Sequence, residues 1–443
     1  MTLGKQTTRR STGIKRRVAR FFKWLRPGIL VKRWFLVSLL GILLIILGLA
    51  ISARLTPIRV LLAVANRVVE TLVQILPRQV SGPLAITLGL VLLWLGQRRV
   101  FMGLLQALMP SRNPREAIVE KVIAHYTLNR GPKLVAIGGG TGLSTLLRGL
   151  KKYSANITAI VTVADDGGSS GRLRREQGML PPGDIRNCLT ALADEEKLLT
   201  ELFQYRFSTG EGLAGHSFGN LFLTAMTHIT GDLERAIRAS SEVLSVRGRV
   251  LPATVEDMVL YAHLEDGRYV EGESQITAAR GKILRIGCKP DRPRAVPQTV
   301  ADIFAADLII LGPGSLYTSV IPNLLVPEIA EAIVSCQVPR IYVCNIMTQP
   351  GETDGFTVAD HVRTIEKVVG QEMIDLVIAQ KSPPSPPTLE AYRRSGADFV
   401  YLEREGLECP VLVAEVMLEQ DGKVRHDSDK LAAVIMGWFH SNS

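Results

Sequence analysis

Gly138-Gly139-Gly140-Thr141-Gly142 directly follows the apolar run Lys133–Ile137 and opens a helix-like stretch over Leu143–Leu150. Glycines let the backbone approach a pyrophosphate closely, and the N–H groups that open a helix face its negative charge. The spacing is neither the dinucleotide fingerprint nor a Walker loop, which would end in Gly-Lys-Ser/Thr. It indicates a phosphate-bearing ligand and names no reaction; a tight turn without a ligand is the structural alternative.

Other unusual residues also fall at the ends of strand-like runs. Asp165 and Asp166 open Asp-Asp-Gly-Gly-Ser-Ser-Gly, and Asp165 lies 27 residues after Gly138. An acid at that distance can accept ribose hydroxyls, an adjacent pair suits Mg²⁺ beside a diphosphate, and a solvated turn needs neither. Pro182-Gly-Asp184-Ile-Arg186-Asn187 supplies an acid, a guanidinium and an amide. Arg186 suits a phosphate or a bridge to Asp184. His216 and Asn220 stand before an apolar helix in Gly-His-Ser-Phe-Gly-Asn; His216 is a candidate acid/base or a packing residue. Gly312-Pro-Gly314-Ser315 repeats the first loop's logic after the run Leu308–Leu311, and Asn345 opens a segment suited to a lid or a partner contact. Near the C-terminus Tyr392 and Arg425 join a ring to cations, a combination that stacks a base or merely decorates a surface helix.

The elements that must position these residues alternate. Lys133–Ile137, Ile157–Ala164, Leu308–Leu311, Arg340–Cys344 and Leu376–Ile378 read as buried strands with helical patterns between them. That predicts an α/β domain with a mostly parallel sheet covered by helices on both faces. Ligands of such sheets bind beyond the carboxyl ends of the strands.

Charge divides the chain. Residues 1–33 carry eleven basic residues and no acid, and residues 34–130 carry ten basic and three acidic residues. With a net charge of +10 overall, residues 131–443 are left at −8, which argues against a nucleic-acid surface there. Two uncharged runs, 34–53 and 80–96, match the length of membrane spans, and an amphipathic helix over 58–76 would lie at the interface between them. The expected organisation is a basic arm (1–33), a membrane hairpin (34–110), a linker (111–130) and the main domain (131–443). The flanking basic residues place both termini and that domain in the cytoplasm. Five scattered cysteines form no CxxC pair, so buried reduced thiols are expected and no zinc site.

Taken together, the blocks Ile137–Gly142, Val161–Gly171, Pro182–Asn187, Gly215–Asn220, Gly312–Ser319 and Cys344–Thr353 resemble the YvcK proteins, or gluconeogenesis factors. These share a superfamily with the phospholactate transferase CofD. The resemblance spans about residues 131–440 and leaves the membrane hairpin outside. It implies a Rossmann-like domain that binds a UDP-sugar, typically UDP-N-acetylglucosamine, with a role in gluconeogenic growth, cell shape and wall-precursor supply through a protein partner. It places Gly138, Gly139, Gly140, Thr141 and Gly142 around the diphosphate with Asp165 and Asp166 nearby. Tyr392 and Arg425 would contact the nucleotide, with Asn187, Asn220, Gly314 and Ser315 as further binding candidates. Ser428 stands where some relatives carry a threonine, making it a candidate phosphosite. A transferase using Mg²⁺ and a nucleotide-diphosphate donor, with Asp165, Asp166 and His216 in catalysis, is the alternative. Self-association is a further expectation.

Overall fold

Uninterrupted runs of Leu, Ile and Val form the centre of a sheet that is buried on both faces, as the sequence predicts. The computed structural model describes residues 127–442 apart from Glu195, together with scattered helical residues between 63 and 99. The chain divides into two units, Met1–Pro114 and Arg115–Ser443.

The second unit contains twelve described strands: β1 Leu134–Gly138, β2 Ile157–Val161, β3 Arg249–Pro252, β4 Val259–Leu264, β5 Tyr269–Glu271, β6 Ile283–Lys289, β7 Leu308–Leu311, β8 Arg340–Val343, β9 Leu376–Gln380, β10 Val411–Ala414, β11 Met417–Gln420 and β12 Lys423–His426. Seven form one parallel sheet in the order β10-β9-β8-β7-β1-β2-β3. The central strand β1 splits its side chains by parity. Leu134 and Ala136 join one core with Leu143, Leu146 and Leu431, while Val135 and Ile137 join the opposite core with Leu316, Ile321 and Ile333. Strand order reverses at β1, which has β2 on one side and β7 on the other. Two loops therefore separate there and leave a crevice at the strands' carboxyl ends.

Several expected boundaries move. β2 stops at Val161, so Thr162–Asp166 belong to the loop, whereas β9 runs on to Gln380. The edge strands β3 and β10 are only four residues long and give little periodicity to read; β3 ends in Pro252, as an edge strand can. The antiparallel sheet β5-β4-β6 and the hairpin β11–β12 extend the plain parallel architecture. The five cysteines are free, and Cys188, Cys288 and Cys344 are buried.

The basic arm, the 34–53 span and residues 111–126 of the expected linker lie outside the described residues. Of the 80–96 run, residues 89–96 are described as helical and exposed. Among the described residues no helix is long and apolar enough to cross a membrane.

Candidate nucleotide-binding cleft

The loops after β1 and β7 meet because Gly142 lacks a side chain: a Cβ there would lie 2.1 Å from the Pro313 carbonyl oxygen. Gly140 turns into the Gly140–Leu150 helix with φ 62°, a left-handed conformation that favours glycine. The cap residue Gly139 has no side chain to bond the helix start; apart from the Gly140 N–H, which Asp184 takes, the first-turn N–H groups suit an anion. On the opposing loop Gly314 adopts φ 154° and is clamped by Asn345. Asn345 Nδ2 donates to the Gly314 carbonyl at 2.7 Å, and the Gly314 N–H donates to Asn345 Oδ1 at 3.1 Å. Gln349 Nε2 donates to Ser315 Oγ at 2.7 Å, so that hydroxyl keeps its own proton for a ligand.

Between the loops lies a cleft of about 340 Å³, closed on one side by Tyr392 and Arg425. The Tyr392 hydroxyl accepts from the Val424 N–H at 3.0 Å, and the ring packs beside Ile346, Met347 and Phe399. That fixes an aromatic face without using the guanidinium next to it. Arg425 is exposed and has no carboxylate partner among the described residues. His426 also lines the cleft; burial holds its imidazole down at about 4, so the ring is neutral, and its Nε2 is buried without a partner. No carboxylate lines this cleft among the described residues.

The acids gather behind the first loop. Asp184 accepts from the Gly140 N–H, and a Cβ on Gly139 would lie 2.6 Å from Asp184 Oδ2. Burial, then the charge of Asp165, raises the Asp184 carboxyl to about 6. Asp165 Oδ1 accepts from the Gly167 N–H at 2.9 Å, and Asp166 Oδ1 from the Ser274 N–H at 2.9 Å. Glu273 is pushed up to about 8, first by burial and then by Asp165, Asp166 and Glu352. Glu352 is 4% exposed; its Oε1 accepts from Thr277 and Thr318, and its Oε2 has no partner.

These carboxylates suit Mg²⁺ only in part. The raised Asp184 and Glu273 mark a place where negative charge accumulates, yet among the described residues no three potential ligands converge on one ion. Such a set fits Mg²⁺ held by one or two carboxylates together with phosphate oxygens, and not an all-protein cage. Asp165 and Asp184 would hold it, and it would supply charge neutralisation beside the first loop.

Other sequence candidates have internal duties. Gly138 is a strand residue paired with Val161, and its carbonyl accepts from Asn323 Nδ2 at 3.2 Å. Asn220 Oδ1 accepts from Arg186 at 2.9 Å, and its Nδ2 donates to Ser169 Oγ at 3.1 Å. Asn187 Oδ1 accepts from Arg186 Nη2 at 2.9 Å. Arg186 is thus held by neutral oxygens and forms no ion pair with Asp184. His216 is 3% exposed with Nδ1 3.0 Å from Ser169 Oγ, outside the cleft. Burial first, then Arg172, lowers its pKa. Ser428 opens the Ser428–Asn442 helix, where its carbonyl would lie 2.0 Å from a Cβ on Gly149. Sequence reasoning missed Glu273, which no motif announces, and underweighted Asn345, whose amide ties one loop to another.

The 2-phospho-L-lactate transferase CofD family model matches residues 134–417. A Bacillus subtilis gluconeogenesis factor is 47% identical over 312 residues, covering 70% of this chain and 98% of the relative. The chain belongs to the gluconeogenesis-factor family. A Nostoc protein provisionally named a gluconeogenesis factor is 59% identical over 428 residues, 96% of this chain and 93% of its own length. Gluconeogenesis factors therefore include relatives that match almost the whole chain and relatives that match about 70% of it. A crystal structure of protein BH3568 from Bacillus halodurans superposes with a TM-score of 0.68 at 47% identity, covering 69% of this chain and all of its own.

Glu273 carries a pH signature. Its folded-state pKa lies above the unfolded value, so folding takes up a proton and stability falls as pH rises through about 8. The wild-type chain is expected to lose thermal stability between about pH 4.5 and 8 relative to Glu273→Gln, with no further loss from this group above that. Melting curves of both proteins across that window check it; parallel curves contradict it.

Proposed function

We propose that this gluconeogenesis-factor chain binds a UDP-sugar, of which UDP-N-acetylglucosamine is the type, and passes that state to a protein partner in envelope metabolism. The observation that carries the reading is the make-up of the cleft. Backbone N–H groups of two glycine loops suit a diphosphate, the Tyr392 face suits a base, and the unpaired Arg425 suits a phosphate or base edge. Among the described residues the lining holds no carboxylate, and its histidine, His426, is neutral, which favours binding over proton transfer. Ligand that closes the two loops shifts the chain toward one conformation, and a partner with different affinities for the two states reads it. Regulation of cell shape and precursor supply during gluconeogenic growth follows from such a sensor.

A second reading, a transferase with a nucleotide-diphosphate donor, is favoured by one observation: Asp184 and Glu273 stand directly behind the first loop with raised pKa values. Mg²⁺ there would neutralise phosphoryl charge. Calorimetric titration with UDP-N-acetylglucosamine, with and without Mg²⁺, followed by a product assay over hours, separates the two. Micromolar binding without turnover, weakened at least about tenfold by Tyr392→Ala or Arg425→Ala, fits the sensor. Steady consumption of the donor, or no binding, fits the transferase.

The membrane tether belongs to the same proposal. It is supported by the two uncharged runs with their basic flanks. Ser428, at a helix start beside Arg425, would carry a regulatory phosphate of about −1.5 to −2 charge. In cell fractionation the full chain is expected with membranes and the chain lacking residues 1–110 in the soluble fraction. Equal partitioning of the two would contradict the tether.

A further inference from the structure

Enclosed arginines elsewhere in this domain meet carboxylates. The Arg174 side chain, 9% exposed, pairs with Asp257 at 2.5 Å, and Arg340, 18% exposed, pairs with Asp375 at 2.8 Å. Around the turn Gly215–Ser217 that pattern fails. Arg172 packs so close that a Cβ on Gly215 would lie 2.6 Å from its Nη2. Arg206 Nη1 donates to the Gly215 carbonyl at 2.5 Å. Arg186 Nη1 donates to Ser217 Oγ at 2.6 Å and to Asn220 Oδ1 at 2.9 Å. Among the described residues none of these three guanidiniums forms an ion pair, although Arg172 and Arg186 are half-buried.

Like charges held around one turn repel, and the repulsion is registered locally. Burial, then Arg172, depresses His216. Asp184 and Asp165 act on Arg186, and Glu176 on His216, from beyond ion-pair distance. His216 adds an independent sign. It is 3% exposed, and Ser169 engages its Nδ1. Among the described residues no carboxylate comes within ion-pair distance of these guanidiniums, and with the nearby hydroxyl they suit an incoming oxyanion.

We propose that Arg172, Arg186 and Arg206 form a second oxyanion subsite over the turn Gly215–Ser217 that takes a phosphoryl group. A doubly charged tetrahedral oxyanion matches several guanidinium forks, whereas a carboxylate is satisfied by one. The phosphoryl group belongs either to a separate phosphorylated metabolite or to the nucleotide ligand itself. The inference goes beyond the cleft reading and is tested apart from it.

The test is calorimetric titration of the full chain with inorganic phosphate and with glucose 6-phosphate, then with UDP-N-acetylglucosamine in the presence of each. Arg172→Gln and Arg206→Gln are each expected to weaken binding of the phosphoryl ligand at least about tenfold, while Arg235→Gln, at an exposed arginine already paired with Asp232, leaves it unchanged. Arg206 is exposed, so its replacement decides the matter if Arg172→Gln fails to fold. Competition between phosphate and the UDP-sugar assigns the group to the nucleotide; independent binding assigns it to a second metabolite. Phosphate binding without any UDP-sugar binding would retain the subsite and remove the cleft reading. Absence of saturable phosphoryl binding, or folded arginine variants that bind both ligands as the wild type does, would overturn the subsite.

Discussion

The close approach of the loops after β1 and β7 is the constraint on which the candidate site depends. Parallel order reverses at β1, so these loops are neighbours and diverge beyond the sheet. They stay in contact because Gly142 leaves room for the Pro313 carbonyl, and because Asn323 Nδ2, fully buried, bonds the carbonyls of Gly138 and Ser319 at 3.2 and 2.9 Å. One amide thus ties the end of β1 to the helix that follows β7. Asn345 fixes Gly314 from the next strand over. The N–H groups that suit a diphosphate are therefore preorganised by bonds made behind them.

The same construction separates two kinds of chemistry. In front of the first loop lie backbone donors, Tyr392 and Arg425; behind it lie Asp184, Asp165 and Glu273, reached through the Gly140 N–H that Asp184 accepts. A ligand that draws on Gly140 acts on the bond that places Asp184. That gives a physical route from occupancy of the cleft to the charge balance of the acidic side, and through Asp166 and Ser274 to the β5-β4-β6 sheet. A sensor needs such a route, and a transferase would use the same proximity.

How much of this was legible depended on what each residue does. Leu308–Leu311 was readable to the residue because a strand buried on both faces is a plain apolar run. Both glycine loops were readable because only glycine permits the φ values and contacts they need. Asn220 and His216 read as ligands because they are polar residues beside glycines; their partners Arg186 and Ser169 come from other segments, which no spacing reveals, whereas Asn187 bonds its own neighbour Arg186. Tyr392 and Arg425 are brought together by the short hairpin β11–β12, whose Val424 bonds the tyrosine hydroxyl. From the residues alone they read equally well as surface decoration. Glu273 acquires its raised pKa from burial first, then from carboxylates that lie more than seventy residues away along the chain.

The central claim is that a nucleotide diphosphate sits between the two glycine loops under the Tyr392–Arg425 hairpin. Hydrogen exchange of the full chain, read by mass spectrometry with and without UDP-N-acetylglucosamine, tests it most directly. The account predicts slowed amide exchange over residues 139–145 and 312–319, with a second protected region over 422–428. Protection confined to residues 165–172 and 268–280, with the glycine loops unchanged, would contradict it.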